Sequence, residues 1–228
     1  MIFLNRLLSY SLLVTLLVTA PSVLASDQEA KMDEVISVLQ EIHQIPEQTV
    51  PPKLLRDAEG IAIIPAVVKV GVVIGGRYGK GVVSVRKADK SWSNPLFLSV
   101  KGGSVGWQIG AQSTDVILVF KTKRSLDGIL KGKFTLGADA AVAAGPVGRT
   151  ASASTDVQLK AEVYSYSRSR GLFAGIALDG AKLSIEEGDN REYYGASYVS
   201  AEELAQKGTA DAPASTAELL GLLDQYAE

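Results

Sequence analysis

The segment Asp115-Val-Ile-Leu-Val-Phe-Lys121 decides the fold class. Its five consecutive apolar residues, Val116 to Phe120, bounded by charge, read as a buried central strand. Around it, from 60 to 187, short runs of Val, Ile and aromatics are divided by glycines, the pattern of a multi-stranded antiparallel sheet. Segment 156–168 alternates, with Val157, Leu159, Ala161 and Val163 on one face. Gln158, Lys160, Glu162, Tyr164 and Tyr166 lie on the other. Ala181, Leu183 and Ile185 alternate with Lys182, Ser184 and Glu186 in the same way. Helical signals flank the sheet. Met32, Val35, Val38, Leu39, Ile42 and Ile45 recur at helical spacing after a cap at Ser26 or Asp27. Pro46, Pro51 and Pro52 interrupt that pattern, and a short helix at 53–59 stops at Gly60. Residues 125–132 form the best helix inside the sheet region. Two more helices close the chain at 200–207 and 215–226, joined by a linker at 209–213. The fold class is therefore α+β. N-terminal helices, a Gly-rich curved antiparallel sheet (a sandwich or partly closed barrel) and short C-terminal helices follow in order.

Three five-residue glycine pairs recur, Gly71 with Gly75, Gly106 with Gly110 and Gly171 with Gly175. On a strand, i and i+4 share a face, so each pair predicts a smooth strip open to close packing.

The first 25 residues have the three parts of an export signal: Arg6, an uncharged run from 7 to 20, and small residues before Ser26. Removal at Ala25 leaves 203 of the 228 residues, enough for one substantial core. The expected organisation is a signal peptide at 1–25, a domain at 26–195 and a helical tail at 196–228. With no cysteine in the chain, neither disulfides nor a cysteine-linked lipid anchor is expected. The expected location is the periplasm or cell envelope. Net charge is −2, but the charge is segregated. Eleven Lys and Arg lie between 77 and 133 against three Asp, while ten acids lie between 186 and 228 against Arg191 and Lys207. Such asymmetry either marks a face that meets anions or lets the two segments neutralise each other.

Catalytic motifs fail on inspection. Gly102-Gly-Ser-Val-Gly106 matches G-x-S-x-G, but that chemistry needs a histidine after the serine. The only histidine, His43, lies upstream, so the match reads as a glycine-rich turn. Gly76-Arg-Tyr-Gly-Lys-Gly81 lacks the Walker spacing. One histidine and no thiolate starve a transition-metal site, and Glu186, Glu187 and Asp189 read as a solvated turn. No catalytic residue, metal or cofactor is expected.

Several blocks taken in order resemble the SYLF domain family. These are Ala58-Glu-Gly-Ile-Ala-Ile-Ile-Pro65, Lys69-Val-Gly71 with Gly75-Gly76, Trp92-Ser-Asn-Pro95, Gly102-Gly-Ser104 with Gln108, and Gln112 with Asp115. Leu136-Gly-Ala-Asp139, Ala144-Gly-Pro-Val-Gly-Arg149, Tyr164-Ser-Tyr-Ser-Arg168, Gly171-Leu-Phe-Ala-Gly175 and Tyr194-Gly195 follow. The resemblance implies a lipid-binding module, not an enzyme: eukaryotic members associate with phosphoinositide membranes, yeast-type members bind actin, and many bacterial members are exported. In animal members an N-terminal amphipathic helix meets the membrane. Here that helix carries Glu29, Asp33, Glu34 and Glu41 against Lys31 alone, so packing on the sheet is expected instead.

The expected function is a non-enzymatic phospholipid-binding module of the envelope. Its candidate contacts with anionic head groups are Lys69, Arg77, Lys80, Arg86, Lys101, Arg149, Arg168 and Arg170. Arg149 and Arg168 could instead pair internally with Asp139 or Asp156. The alternative is a structural or protein-interaction domain without a lipid ligand. A pocket lined by Trp92, Phe97, Trp107 or Phe173 would favour lipid. Export makes nucleic acid and actin unexpected partners.

Overall fold

The computed structural model describes residues 26–44, 50–71, 74–105, 110–132, 134–146, 161–169, 172–176 and 178–228. The signal-like segment and residues 156–160 lie outside them. Helix α1 (Asp27–His43) starts where Ser26 Oγ accepts from Glu29 N at 3.2 Å, an N-cap that satisfies one orphan donor. Its apolar stripe, Met32, Val35, Val38, Leu39 and Ile42, is buried against the sheet, as the acidic polar face predicts. Helix α2 (Pro52–Arg56) is shorter than its signal, because Gly60 opens a strand rather than capping a helix.

Four long strands then follow: β1 (Gly60–Gly71), β2 (Ile74–Val85), β3 (Leu96–Val105) and β4 (Gly110–Phe120), with β4 pairing back onto β1. Helix α3 (Lys123–Leu130) leads to β5 (Phe134–Thr135) and β6 (Val142–Ala144). β7 (Val163–Ser169), β8 (Leu172–Gly175) and β9 (Lys182–Ile185) complete the sheet. Strand order is β5-β9-β3-β2-β1-β4-β7-β6, with β8 also on β7. β4 carries the Val116–Phe120 run and lies between β1 and β7, so the central position is borne out. The sheet curls into a half-barrel. It is mixed rather than wholly antiparallel, because β6 runs parallel to β7.

The expected division near Tyr164 holds: Val163, opposite Phe120, lies on one face, and Tyr164 and Tyr166, opposite Val119 and Ile117, lie on the other. Val163, Tyr164, Ser165 and Tyr166 are all buried, since both faces of β7 are covered. The glycine strips are corrected: Gly71 and Gly75 face each other across the β1–β2 hairpin, not along one strand. Gly106 and Gly171 lie outside the described residues.

The helices α4 (Glu187–Tyr194), α5 (Ala201–Lys207) and α6 (Ala214–Ala227) follow the sheet. α4 replaces the solvated turn expected there. Asn190 secures it: Oδ1 accepts from Phe97 N at 2.8 Å, and Nδ2 donates to Phe97 O at 3.1 Å and Glu186 O at 2.9 Å. Side-chain alternation assigns the two faces. One face holds Val83, Leu98, Val100, Val116, Leu118 and Phe120, and is covered by α3, where Gly60 meets Leu126, and by Phe134. The other holds Ile61, Ile63, Val82, Phe97, Ile117 and Val119, and is covered by the helical layer, where Phe97 meets the Tyr193 ring at 5.1 Å. α6 packs on α1 and α2 within that layer, and His43 stacks on Tyr226 at 3.5 Å.

Candidate functional site

β1 contains one extra residue between Ile64 and Val67 relative to both neighbours. Such a bulge exchanges the faces of everything beyond it. Ala66, at φ 49°, donates its N–H to Asp115 Oδ1 at 2.9 Å. Asp115 Oδ2 in turn accepts from Arg168 Nε at 3.0 Å and Nη2 at 2.7 Å. Arg168 Nη1 also donates to Glu41 of α1. This network holds Glu41 below the usual carboxylate range, through the Arg168 hydrogen bond first and the Ser37 hydrogen bond second.

Beyond the bulge, β3-β2-β1-β4 project past their neighbours. Among the described residues β9 pairs with 98–101 of β3, Lys101 standing opposite Lys182 at its end, and β7 pairs with 115–120 of β4. Residues 67–71, 74–80, 101–105 and 110–114 thus form a four-stranded extension. Its charged residues are Lys69, Arg77, Lys80 and Lys101, with no Asp or Glu among them.

Lys69 stands directly opposite Arg77 across the β1–β2 ladder, and opposite Gln112 on β4. The pair lies on the α3-side face, at the open end of the row that continues into Val83, Leu98 and Leu118. Among the described residues neither cation has an acidic partner. Like charges directly opposed on a sheet repel, so the arrangement gains when an anion bridges them. The absence of a side chain at Gly102 lets the Ala181 backbone approach closely, beside the Arg77 stem. A Cβ there would stand 3.5 Å from Arg77 Cγ and 3.1 Å from Ala181 Cα. Partial burial desolvates the Arg77 guanidinium and lowers its pKa, yet a guanidinium keeps its charge at neutral pH. The fork of N–H donors fits a phosphate.

The other candidates separate by position. Lys80 Nζ pairs with Asp189 at 2.7 Å and Lys101 Nζ with Glu186 at 3.5 Å, both on the helix-side face of the extension. Arg86 lies near the far end of β2. Its guanidinium covers the Trp92 ring at 3.6 Å and Nη1 donates to Lys90 O at 2.9 Å. Arg168 is committed to Asp115 and Glu41 rather than to Asp139, and Asp156 lies outside the described residues. Arg149 and Arg170 lie outside the described residues. Of the aromatic residues expected to line a pocket, Trp92 and Phe97 are buried in the core, and Trp107 lies outside the described residues. The backbone of Ser104 is part of the continuous strand β3, not a turn, so the strand-to-helix elbow that a G-x-S-x-G nucleophile needs is not formed. Val68, Val70 and Tyr78 were missed as site residues. The alternation Val-Lys-Val at 68–70 was their one signal.

An open sheet end with a cationic pair that has no acidic partner among the described residues is the geometry that a binding module offers. The chain belongs to the SYLF family: a family model described as Las17-binding protein actin regulator (Ysc84) matches residues 101–226. The SH3 domain-containing YSC84-like protein 1 of Xenopus laevis is 34% identical over 184 residues, 80% of this chain and 54% of that protein. Its Homo sapiens counterpart is 30% identical over 209 residues, 89% and 60% of the two chains. Protein YSC84 of Saccharomyces cerevisiae is 33% identical over 184 residues, 79% and 39%. This chain therefore spans less than two thirds of each of these relatives.

Proposed function

We propose that the domain is a non-catalytic phospholipid-binding module of the cell envelope, which an export signal at 1–25 would deliver there. A head-group phosphate is gripped between Lys69 and Arg77. The observation that carries this reading is the cross-strand pair itself, two cations opposed on one face without an acidic partner among the described residues. The pair itself supplies the attraction to an anionic surface, since Lys80 and Lys101 are answered by Asp189 and Glu186.

Vesicle co-sedimentation tests it, with phosphatidylcholine alone and with added phosphatidylglycerol. Binding is expected only with the anionic lipid and declines with salt. Each cation near such a surface contributes about 1 kcal/mol, so Lys69→Gln with Arg77→Gln weakens binding roughly tenfold to thirtyfold. Equal recovery on both vesicles, indifferent to salt, sinks the reading. The alternative is a protein-interaction domain. The description of the matching family model, Las17-binding protein actin regulator, supports it. For an exported chain the partner would be an envelope protein rather than actin. Salt-indifferent recovery without lipid discrimination is the result that favours it.

A further inference from the structure

Among the described residues, the large apolar side chains that stand exposed are Val68, Val70, Tyr78 and Val199, at 42%, 51%, 46% and 70%. Val199 is isolated at the start of α5. The other three adjoin one another. Val68 is the cross-strand partner of Tyr78, Val70 is two residues along the same face, and Tyr78 is opposite Lys101. Lys101 Nζ lies 5.6 Å from the Tyr78 ring centroid. Gly76 and Gly103 fill the remaining positions of the row beside Val70, so the surface between these side chains is low. Further along this same face the sheet is covered by α1 and α4, whose Asp189 and preceding Glu186 reach Lys80 and Lys101; among the described residues Val68, Val70 and Tyr78 stand exposed beyond that cover.

We propose that Val68, Val70 and Tyr78 form a membrane-seating face, which enters the head-group and upper acyl zone of an anionic bilayer. The proposal rests on the phospholipid reading above and deepens it, since it adds an apolar contact on the face opposite the Lys69–Arg77 pair. Charge selects the occupant. The strands of the extension carry cations alone; Lys80 and Lys101 are answered by Asp189 and Glu186, which leaves Lys69 and Arg77 for a surface of lipid phosphates. A tyrosine with a neighbouring lysine is amphipathic in the sense the interface requires, with an apolar body and a polar tip. The bulge at Ala66 produces this division. It turns Val68 and Val70 to one face of the sheet and Lys69 to the other, so a sheet end entering edge-on presents both chemistries at one depth.

The chain has no native cysteine, so a single introduced thiol can be labelled without competition. The full chain carrying Val70→Cys, bearing a polarity-sensitive fluorophore, is titrated with phosphatidylcholine–phosphatidylglycerol vesicles. Val199→Cys serves as the control. A blue shift at 70 and none at 199 is expected. Separately, Val68→Ser with Val70→Ser is expected to weaken vesicle binding about tenfold, and what remains is fully reversed by salt. If the unmodified protein binds anionic vesicles while the label at 70 does not shift and the double serine variant binds normally, the seating face is overturned and the phosphate grip stands. If the unmodified protein binds neither vesicle, both fall together. A shift at 70 that is matched at 199 also overturns the proposal.

Discussion

Gly81 is a position where one absent methyl group decides whether the sheet can form. It stands in β2 opposite the bulged part of β1. A Cβ there would lie 2.1 Å from Ile63 O and 2.6 Å from Ile64 Cα, both backbone atoms that cannot step aside cheaply. Gly103, on the neighbouring strand, has nothing within 4 Å of its own imagined Cβ. The two glycines therefore differ in kind, although the sequence presents both in the same Gly-rich texture. Gly81→Ala is expected to cost about 1–3 kcal/mol through forced backbone movement. Gly103→Ala is expected to be neutral or slightly stabilising, because it removes glycine's excess freedom in the unfolded chain. Urea denaturation followed by circular dichroism separates them. Equal midpoints for the two variants would contradict the packing argument.

At the scale of the element, the bulge in β1 sets what the site can be. Without the extra residue Lys69 would share a face with Ile61 and Ile63 and lie across the sheet from Arg77. Asp115 maintains it by binding the Ala66 amide and the Arg168 fork at once. Hydrogen bonds to a charged partner contribute about 1.5–3 kcal/mol, so Asp115→Ala is expected to destabilise by that order. It should also accelerate hydrogen exchange at the amide of Ala66. Asp115→Asn keeps a carbonyl oxygen for Ala66 but gives up the charge facing Arg168, and is expected to fall between. Unchanged exchange at Ala66 in Asp115→Ala would show that the bulge holds itself. The bulge was not legible in the sequence, because an extra residue exists only relative to a partner strand. Val116 to Phe120 was legible, since an uninterrupted apolar run has few alternatives to a doubly covered strand. α4 was not. Glu187-Gly-Asp-Asn reads as turn chemistry, and the helix is fixed instead by tertiary contacts, namely Asn190 on the Phe97 backbone and Tyr194 Oη on Pro95 O at 2.6 Å. The candidate cations were chosen by residue type, which carries no information about place. Only pairing registers show that Lys69 meets Arg77 while Lys80, Lys101 and Arg168 are met by acids from the helical layer and β4.

Over the whole molecule, the helical layer is joined to the half-barrel by groups whose protonation differs between folded and unfolded chains. Burial lowers the His43 pKa from its ordinary 6.5, because the imidazole stacked on Tyr226 is partly desolvated. Glu41 is lowered from 4.5, chiefly by its hydrogen bond from Arg168. Both shifts have one sign: in each window the unfolded chain binds more protons than the folded one, so stability rises with pH. For His43 the contribution is complete above the unfolded pKa and declines as pH falls below about 6.5 toward the folded value. For Glu41 it is complete above the ordinary carboxylate range and is lost as pH falls through the lowered value. The two groups act on the same contact region, since both lie in the last turns of α1, one facing α6 and the other facing the sheet. Folding free energy, measured by urea denaturation at steps from pH 7.5 down through the acid range below pH 4, is therefore expected to be level at first and then to descend in two stages. His43→Phe keeps a ring for Tyr226 but cannot titrate, so it should abolish the first stage and leave the second. Glu41→Gln should lower stability near neutrality and flatten the second stage. A profile that is level or rising on acidification from pH 7 to 5 in the unmodified protein, or one that His43→Phe leaves unaltered, would show that the junction of α1 with α6 does not govern the stability of the whole.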